Sequence, residues 1–202
     1  MHRGRILDRA FFERDTVSVA RLLLGTQLVL ERPGGVAYRV RIVETEAYVG
    51  PDDRASHASR GRTRRTEVMF GPAGHAYVYL VYGFHNCLNI VTEGIDTPAA
   101  VLIRAAEPVL NVEKRTDGPG RLCLALGIDR GFTGQDMTTP PLYVEAMDSI
   151  VPFEVASGPR VGVAYAGEWA MRPWRFWIRD NPWVSRPAKQ SIGRGSAATG
   201  VQ

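Results

Sequence analysis

The stretch that decides the fold runs Val36-Ala37-Tyr38-Arg39-Val40-Arg41-Ile42-Val43-Glu44-Thr45-Glu46-Ala47-Tyr48-Val49. Its even positions begin apolar (Val36, Tyr38, Val40, Ile42) with Arg39 and Arg41 between them. That is the period of two a β-strand imposes, because successive side chains point to opposite faces. Alternation then carries Glu44, Glu46 and Tyr48 onto the face of Val40 and Ile42. If that face is the core face, the strand delivers carboxylates into a protected place, where an unpartnered charge is costly. A carboxylate so placed suits a general base, a role worth roughly 10²–10⁴ in rate. The ordinary alternative is a bulge that turns the pair to solvent.

Working outward, Gln27 to Glu31 reads as a strand with Pro33-Gly34-Gly35 as its turn. Ahead of it, Asp15 suits a helix N-cap, Val17, Ala20, Leu23 and Leu24 form an apolar face, and Gly25 stops the helix. Downstream, residues 51–65 form a polar, arginine-rich loop, and 76–82, 87–92 and 99–104 read as short strands. The pattern predicts helices around 109–115 and 121–126, then strands at 143–146, 160–163 and 175–179. With no repeat and no linker, residues 1–186 read as one α+β domain: a curved, mostly antiparallel β-sheet with surrounding helices. Residues 187–202 are small and polar, which predicts a disordered tail.

A chain of 202 residues, 45% hydrophobic, can build its own core without disulfides or metal. No run approaches the roughly 20 apolar residues of a membrane span, and Met1-His2-Arg3-Gly4-Arg5 leads into no signal-peptide block. The expected location is cytoplasmic. Cys87 and Cys123 sit in separate apolar runs and form no Cys-x-x-Cys pair, so they read as small buried hydrophobes. Of the 25 basic residues only Lys114 and Lys189 are lysines. The net charge of +4 permits an anionic partner.

Two further clusters carry chemical meaning. Tyr77, Tyr79 and Tyr82 precede Gly83-Phe84; on a strand, Tyr77 and Tyr79 share a face. Such tyrosines commonly fill cores, yet aromatic faces also stack bases at about 1–3 kcal/mol each. Arg54, Arg60, Arg62, Arg64 and Arg65 fall within one loop that holds few acids. Guanidinium forks suit phosphates, although a run of arginines can equally be a solvated surface.

At this point a family likeness is visible. The blocks Glu44-Thr45-Glu46-Ala47-Tyr48-Val49-Gly50-Pro51, His57, Met69-Phe70 and Tyr77-Val78-Tyr79-Leu80-Val81-Tyr82-Gly83 resemble the alkyladenine (3-methyladenine) DNA glycosylase family. So do Cys87-Leu88-Asn89-Ile90, Val101-Leu102-Ile103-Arg104-Ala105, Gly118-Pro119-Gly120-Arg121-Leu122-Cys123, Pro159-Arg160-Val161-Gly162-Val163 and Pro182-Trp183-Val184-Ser185. The likeness runs in order from about Leu7 to Ser185.

The resemblance implies a monofunctional enzyme that flips a damaged purine out of double-stranded DNA and hydrolyses its glycosidic bond. It implies that Glu46 deprotonates the attacking water, and that Arg104 and the Val161 carbonyl hold that water. It places the base among Tyr48, Tyr79 and His57, sets Tyr82 in the gap left in the duplex, and has Asn89 crowd the exocyclic amino group of normal guanine. Arg60, Arg62, Arg64, Arg65 and Arg121 are the candidate DNA contacts. Thr63-Arg64-Arg65-Thr66 departs from the family's usual Thr-Pro-Arg-Asn.

No metal, no cofactor and a monomeric state are expected. A zinc deaminase would need His-x-Glu and Pro-Cys-x-x-Cys, which the chain lacks. A glycosylase that also cuts the strand needs an amine nucleophile, and two lysines offer little choice. A binding module without activity would explain the arginines and tyrosines and leave Glu46 without a purpose.

Overall fold

The computed structural model describes residues 4–147 and 151–185. In chain order these form β1 (Arg5–Ile6), α1 (Arg9–Phe12), α2 (Thr16–Leu22), β2 (Gln27–Glu31), β3 (Ala37–Tyr48), β4 (Ala76–Val81), β5 (His85–Thr92), β6 (Ala99–Leu110), α3 (Pro119–Leu126), β7 (Leu142–Ala146), β8 (Val155–Gly158) and β9 (Arg175–Ile178). Single 3₁₀ turns lie at His57–Arg60, Glu67–Phe70 and Arg130–Phe132, and a longer one at Ala164–Met171 is broken at Gly167.

Strand β3 is the spine. Along one edge it pairs antiparallel with β6 from Arg39 to Tyr48. Along the other it pairs first with β2, then, at Glu44–Glu46, with β9. The change of partner coincides with register shifts around Ile42, Glu44 and Thr45. Bulges bend a strand and sharpen its twist. Here they do not turn the carboxylates outward: Glu44 and Glu46 are both fully buried. The sheet runs β1-β7-β2-β3-β6-β5-β4, with β8 joined through β9, and every pairing is antiparallel. The molecule is a single α+β domain built on one open sheet.

The helices cover the sheet where its apolar residues require it. In α2 the Asp15 carboxylate caps the first turn by accepting from Ser18 N at 2.8 Å, a contact worth about 1 kcal/mol. Val19 and Ala20 face the core, and the Thr45 hydroxyl donates to the Ala20 carbonyl at 2.7 Å, tying the helix to β3. Leu28, Ile42, Leu88, Ile90, Ile103, Leu122 and Phe12 fill the main core, each contributing about 1.5–3 kcal/mol on burial. Among the described residues no helix is long and apolar enough to cross a membrane.

Two sequence expectations fail. The helix around 109–115 does not form, because β6 runs on to Leu110, where it still pairs with Arg39 of β3. Asn111 then takes a left-handed φ of 57° and its side-chain amide donates to the Ala37 carbonyl. Cross-strand pairing outweighs local helix propensity here. The strand expected at 160–163 is a loop, with Gly162 at φ 79°, and the strand before it is 155–158. The tail expected at 187–202 lies outside the described residues.

Candidate active site

The end of β3, the β4–β5 hairpin, β6, the start of α3 at 118–121 and the segments at 55–57 and 161–165 enclose a cavity of about 710 Å³. Tyr48, His57, Tyr79, Tyr82, Asn89, Arg104, Arg121 and Val161 all line it. Glu46 lies directly behind three of these linings rather than on the cavity surface itself. Its Oε2 accepts from the Tyr48 hydroxyl at 2.9 Å, and its Oε1 from the Val161 amide at 2.7 Å. Arg104 Nη1 stands 3.4 Å from Oε1. The Val161 contact runs through the N–H, a donor that no side-chain pattern announces.

Arg104 joins this carboxylate to Glu44. Its Nε donates to Glu44 Oε1 at 3.0 Å. Burial opposes charge on Arg104, but the carboxylates of Glu46 and Glu44 outweigh it and hold its guanidinium above the usual arginine range. Burial first, and the neighbouring Glu46 carboxylate second, keep the Tyr48 phenol well above the ordinary tyrosine range. Tyr48 therefore stays a donor to Glu46 at neutral pH.

His57 follows the buried N-cap residue Ser56 at the first position of its 3₁₀ turn. Its Nδ1 lies 2.9 Å from the Tyr77 hydroxyl and its Nε2 3.3 Å from Arg65 Nη2. Burial, then Arg65 and Arg60, push its pKa down to about 4. The ring is neutral at pH 7. An Nε2 facing a guanidinium must accept, so the proton sits on Nδ1 and points to Tyr77. The His57 and Tyr79 rings meet edge to face, with centroids 4.5 Å apart.

Asn89 is buried, with its Nδ2 donating to the carbonyls of Tyr77 at 3.0 Å and Cys87 at 3.3 Å. Those two bonds fix the amide's orientation and commit its donors to the backbone. Cys87 also lines the cavity; burial raises its thiol to about 11, so it stays protonated. Cys123 is buried too.

At the cavity mouth, Tyr82 is 85% exposed on the tip of the β4–β5 hairpin, beside Phe84. Tyr82 has φ 52° and Gly83 φ 79°, and Phe84 N closes the turn onto the Val81 carbonyl. A bulky residue in the left-handed region is strained, and such strain is found where a side chain must be displayed.

The arginines divide. Arg62 is engaged within the protein: it donates to Glu67 at 2.9 Å, pairs with Asp96, and lies 4.5 Å over the Phe70 ring. Arg121 is exposed but bonded to the Asp117 carbonyl and carboxylate. Arg65 covers the Tyr79 ring at 5.4 Å. Arg64 and Arg65 line a groove beside β4 together with Arg130, a residue that sequence reasoning passed over. Arg60 is exposed and lines neither space.

Sequence reasoning also missed a buried ion pair. Arg160 grips Asp53 through two bonds, Nη1 to Oδ2 at 2.5 Å and Nη2 to Oδ1 at 2.8 Å. Its guanidinium lies 4.8 Å over the Tyr48 ring. The partners are over a hundred residues apart, so no local spacing signals them. Among the described residues no three His, Cys, Asp or Glu side chains gather as metal ligands would.

The bent antiparallel sheet thus sinks a carboxylate behind an aromatic cavity, with an aromatic tip at its mouth. The chain matches the methylpurine-DNA glycosylase family over residues 10–182 and belongs to it. It is similar to proteins named "Putative 3-methyladenine DNA glycosylase" from three organisms. The one from Anaeromyxobacter dehalogenans (strain 2CP-1 / ATCC BAA-258) is 56% identical over 183 residues, covering 90% of this chain and 86% of the relative. That from Myxococcus xanthus (strain DK1622) is 52% identical over 182 residues, covering 89% and 93%. That from Methanocella arvoryzae (strain DSM 22066 / NBRC 105507 / MRE50) is 48% identical over 201 residues, covering 93% and 99%.

Proposed function

We propose that the protein hydrolyses the N-glycosidic bond of purines swung out of duplex DNA, of the 3-methyladenine, 7-methylguanine, hypoxanthine and ethenoadenine class, with Glu46 as the base that activates water. The observation that carries this reading is the Glu46 carboxylate, fully buried and held by Tyr48, Val161 and Arg104, each of which also lines the aromatic cavity. Each carboxylate oxygen keeps a lone pair for a further donor. A water entering between the Tyr48 phenol and Arg104 gives its proton to Glu46 as its oxygen attacks C1′. Positive charge develops on the sugar as the base departs with the electrons of the glycosidic bond, neutral if it was an alkylated cation and otherwise taking up a proton from solvent, and a fixed carboxylate stabilises the sugar's charge.

The remaining residues suit recognition. Extruding a base costs a few kcal/mol, least where damage has weakened its pairing. Tyr82 fills the vacated space, and Tyr48, Tyr79 and the neutral His57 receive the base. Asn89, its orientation fixed by two backbone carbonyls, forms a wall against the larger edge of normal guanine. Arg60, Arg62, Arg64, Arg65 and Arg121 offer guanidinium groups to duplex phosphates, Arg62 and Arg121 from ion pairs with Glu67, Asp96 and Asp117.

The reaction stops at base release. A lyase step needs an amine at the cavity; Lys114 is exposed and lines no part of it, and Lys189 lies outside the described residues. The test is a duplex holding one hypoxanthine or one ethenoadenine, incubated with the protein and then heated in alkali. Strand breaks after alkali, and none before it, are expected. No breaks at all would leave only a binding protein, and breaks before alkali would reveal a lyase.

A further inference from the structure

We propose that Arg160, locked to Asp53, is a positioning residue for base release: one buried ion pair sets both the Tyr48 wall of the cavity and the amide that holds Glu46. The inference rests on the reading of Glu46 given above. Both side chains of the pair are fully buried, and neither lines the cavity, so any effect on the reaction passes through neighbours.

Those neighbours are reached from three sides. Besides its fork onto Asp53, Arg160 donates to the Ala47 carbonyl at 2.8 Å, and Ala47 is the residue between Glu46 and Tyr48. Its guanidinium lies over the Tyr48 ring at 4.8 Å and over the Trp174 ring at 5.1 Å. The next residue along the chain is Val161, whose amide donates to Glu46 at 2.7 Å. Asp53, for its part, accepts from the amides of Val49 at 3.2 Å and Ala55 at 3.0 Å, fixing the loop that leads to His57. The pair is thus the junction of the strand end that carries Glu46 and Tyr48, the loop that carries His57, and the loop that carries Val161.

Stability alone gives little reason for such a pair. Desolvating two charges costs about as much as their attraction returns, and well-packed apolar replacements are often neutral or stabilising. Here the arrangement is not even fully satisfied, because the buried Arg160 Nε has no acceptor among the described residues. What an apolar substitute cannot supply is a planar fork that meets a carboxylate, a carbonyl and a ring at once.

The test compares the wild-type protein with the double variant Asp53→Asn/Arg160→Met, which removes both charges together and keeps an acceptor for the Val49 and Ala55 amides. Three quantities are read: the unfolding midpoint, the single-turnover rate on a hypoxanthine duplex at saturating enzyme, and the chemical shift of the Val161 amide. The expected result is a near-native midpoint, a displaced Val161 amide and a rate lowered about a hundredfold, the scale of a small misplacement at a reacting centre, with affinity for undamaged duplex unchanged. Arg160→Lys, which keeps the charge and loses the fork, is expected to fall between the two. It carries the test if the double variant does not fold. A folded variant with the native rate and an unmoved Val161 amide overturns the proposal. If the wild-type protein releases no base, the functional reading fails instead, and the Val161 shift alone decides whether Arg160 positions that amide.

Discussion

Glu44 and Glu46 stand on the same strand, both fully buried, and both touch Arg104. Around Glu44 the structure is closed. Arg104 and Arg175 donate to its Oε1 at 3.0 and 2.6 Å, the Ser185 amide to its Oε2 at 2.7 Å, and the Ser185 hydroxyl to Oε1 at 2.9 Å. Around Glu46 the three partners are at the same time walls of a cavity. One carboxylate is closed off with the help of the C-terminal residues Arg175 and Ser185; the other stands behind partners that line the aromatic cavity. Burial alone therefore does not mark a reactive group. What distinguishes the two is that all three of these Glu46 partners line the cavity, whereas of the Glu44 partners only Arg104 does.

The comparison is broken most severely at Glu46. Glu46→Gln should lower base release by about 10²–10⁴-fold while leaving the unfolding midpoint and the affinity for damaged duplex near their native values. Single-turnover kinetics beside a binding titration would show it, and retained turnover would remove Glu46 from the base role. Glu44→Gln should do the reverse. It leaves Arg104 and Arg175 short of a buried partner, a loss of about 3–5 kcal/mol, which lowers the midpoint by roughly 10 °C for a chain of this size. Calorimetry is the check, and a variant of Glu44 with full stability would show that the closed side is not what holds the strand end.

On the cavity side, Tyr82→Ser should slow release from well-paired lesions about tenfold and from mispaired ones less, since a wedge is worth about 1–3 kcal/mol only where a base must be forced out. Equal losses on both substrates would contradict the wedge. The smallest effect concerns pH. His57 is held neutral with a pKa near 4, against 6.5 when free. Its folded pKa lies below the unfolded one, so the unfolded chain binds more protons between these values. The stability it contributes is complete above about pH 6.5 and is lost as the pH falls toward 4. His57→Gln should flatten the midpoint-against-pH curve in that window, and an unchanged slope would mean the ring is not held neutral.

Much of this frame was legible in the sequence. Period-two alternation located β3, the Asp15 cap located α2, and the run at 27–31 became β2 with the same limits. The reason is physical: strands and caps are written in residues a few positions apart. The failures share an opposite cause. Residues 109–110 extend a strand because Arg39 and Val40, far back in the chain, pair with that region. Arg160 sits in a loop because it answers Asp53, 107 positions away. The arginines of the loop looked equivalent in sequence, yet Arg62 meets Glu67, Asp96 and Phe70, which only the folded chain brings to it. The resemblance brought Val161 to the site by its carbonyl; that its amide meets Glu46 no side chain announces, since every residue but proline carries one.

The clamp on Glu44 also has a consequence for how the molecule comes into being. Ser185, which seals that carboxylate, follows it by 141 positions. During synthesis the set of donors around Glu44 stays incomplete until β9 and Ser185 have left the ribosome. Contacts of such long sequence separation are slow to close. A chain ending shortly before Ser185 would keep Arg104 and Arg175 against Glu44 but leave its Oε2 without the Ser185 amide, a buried oxygen short of a donor.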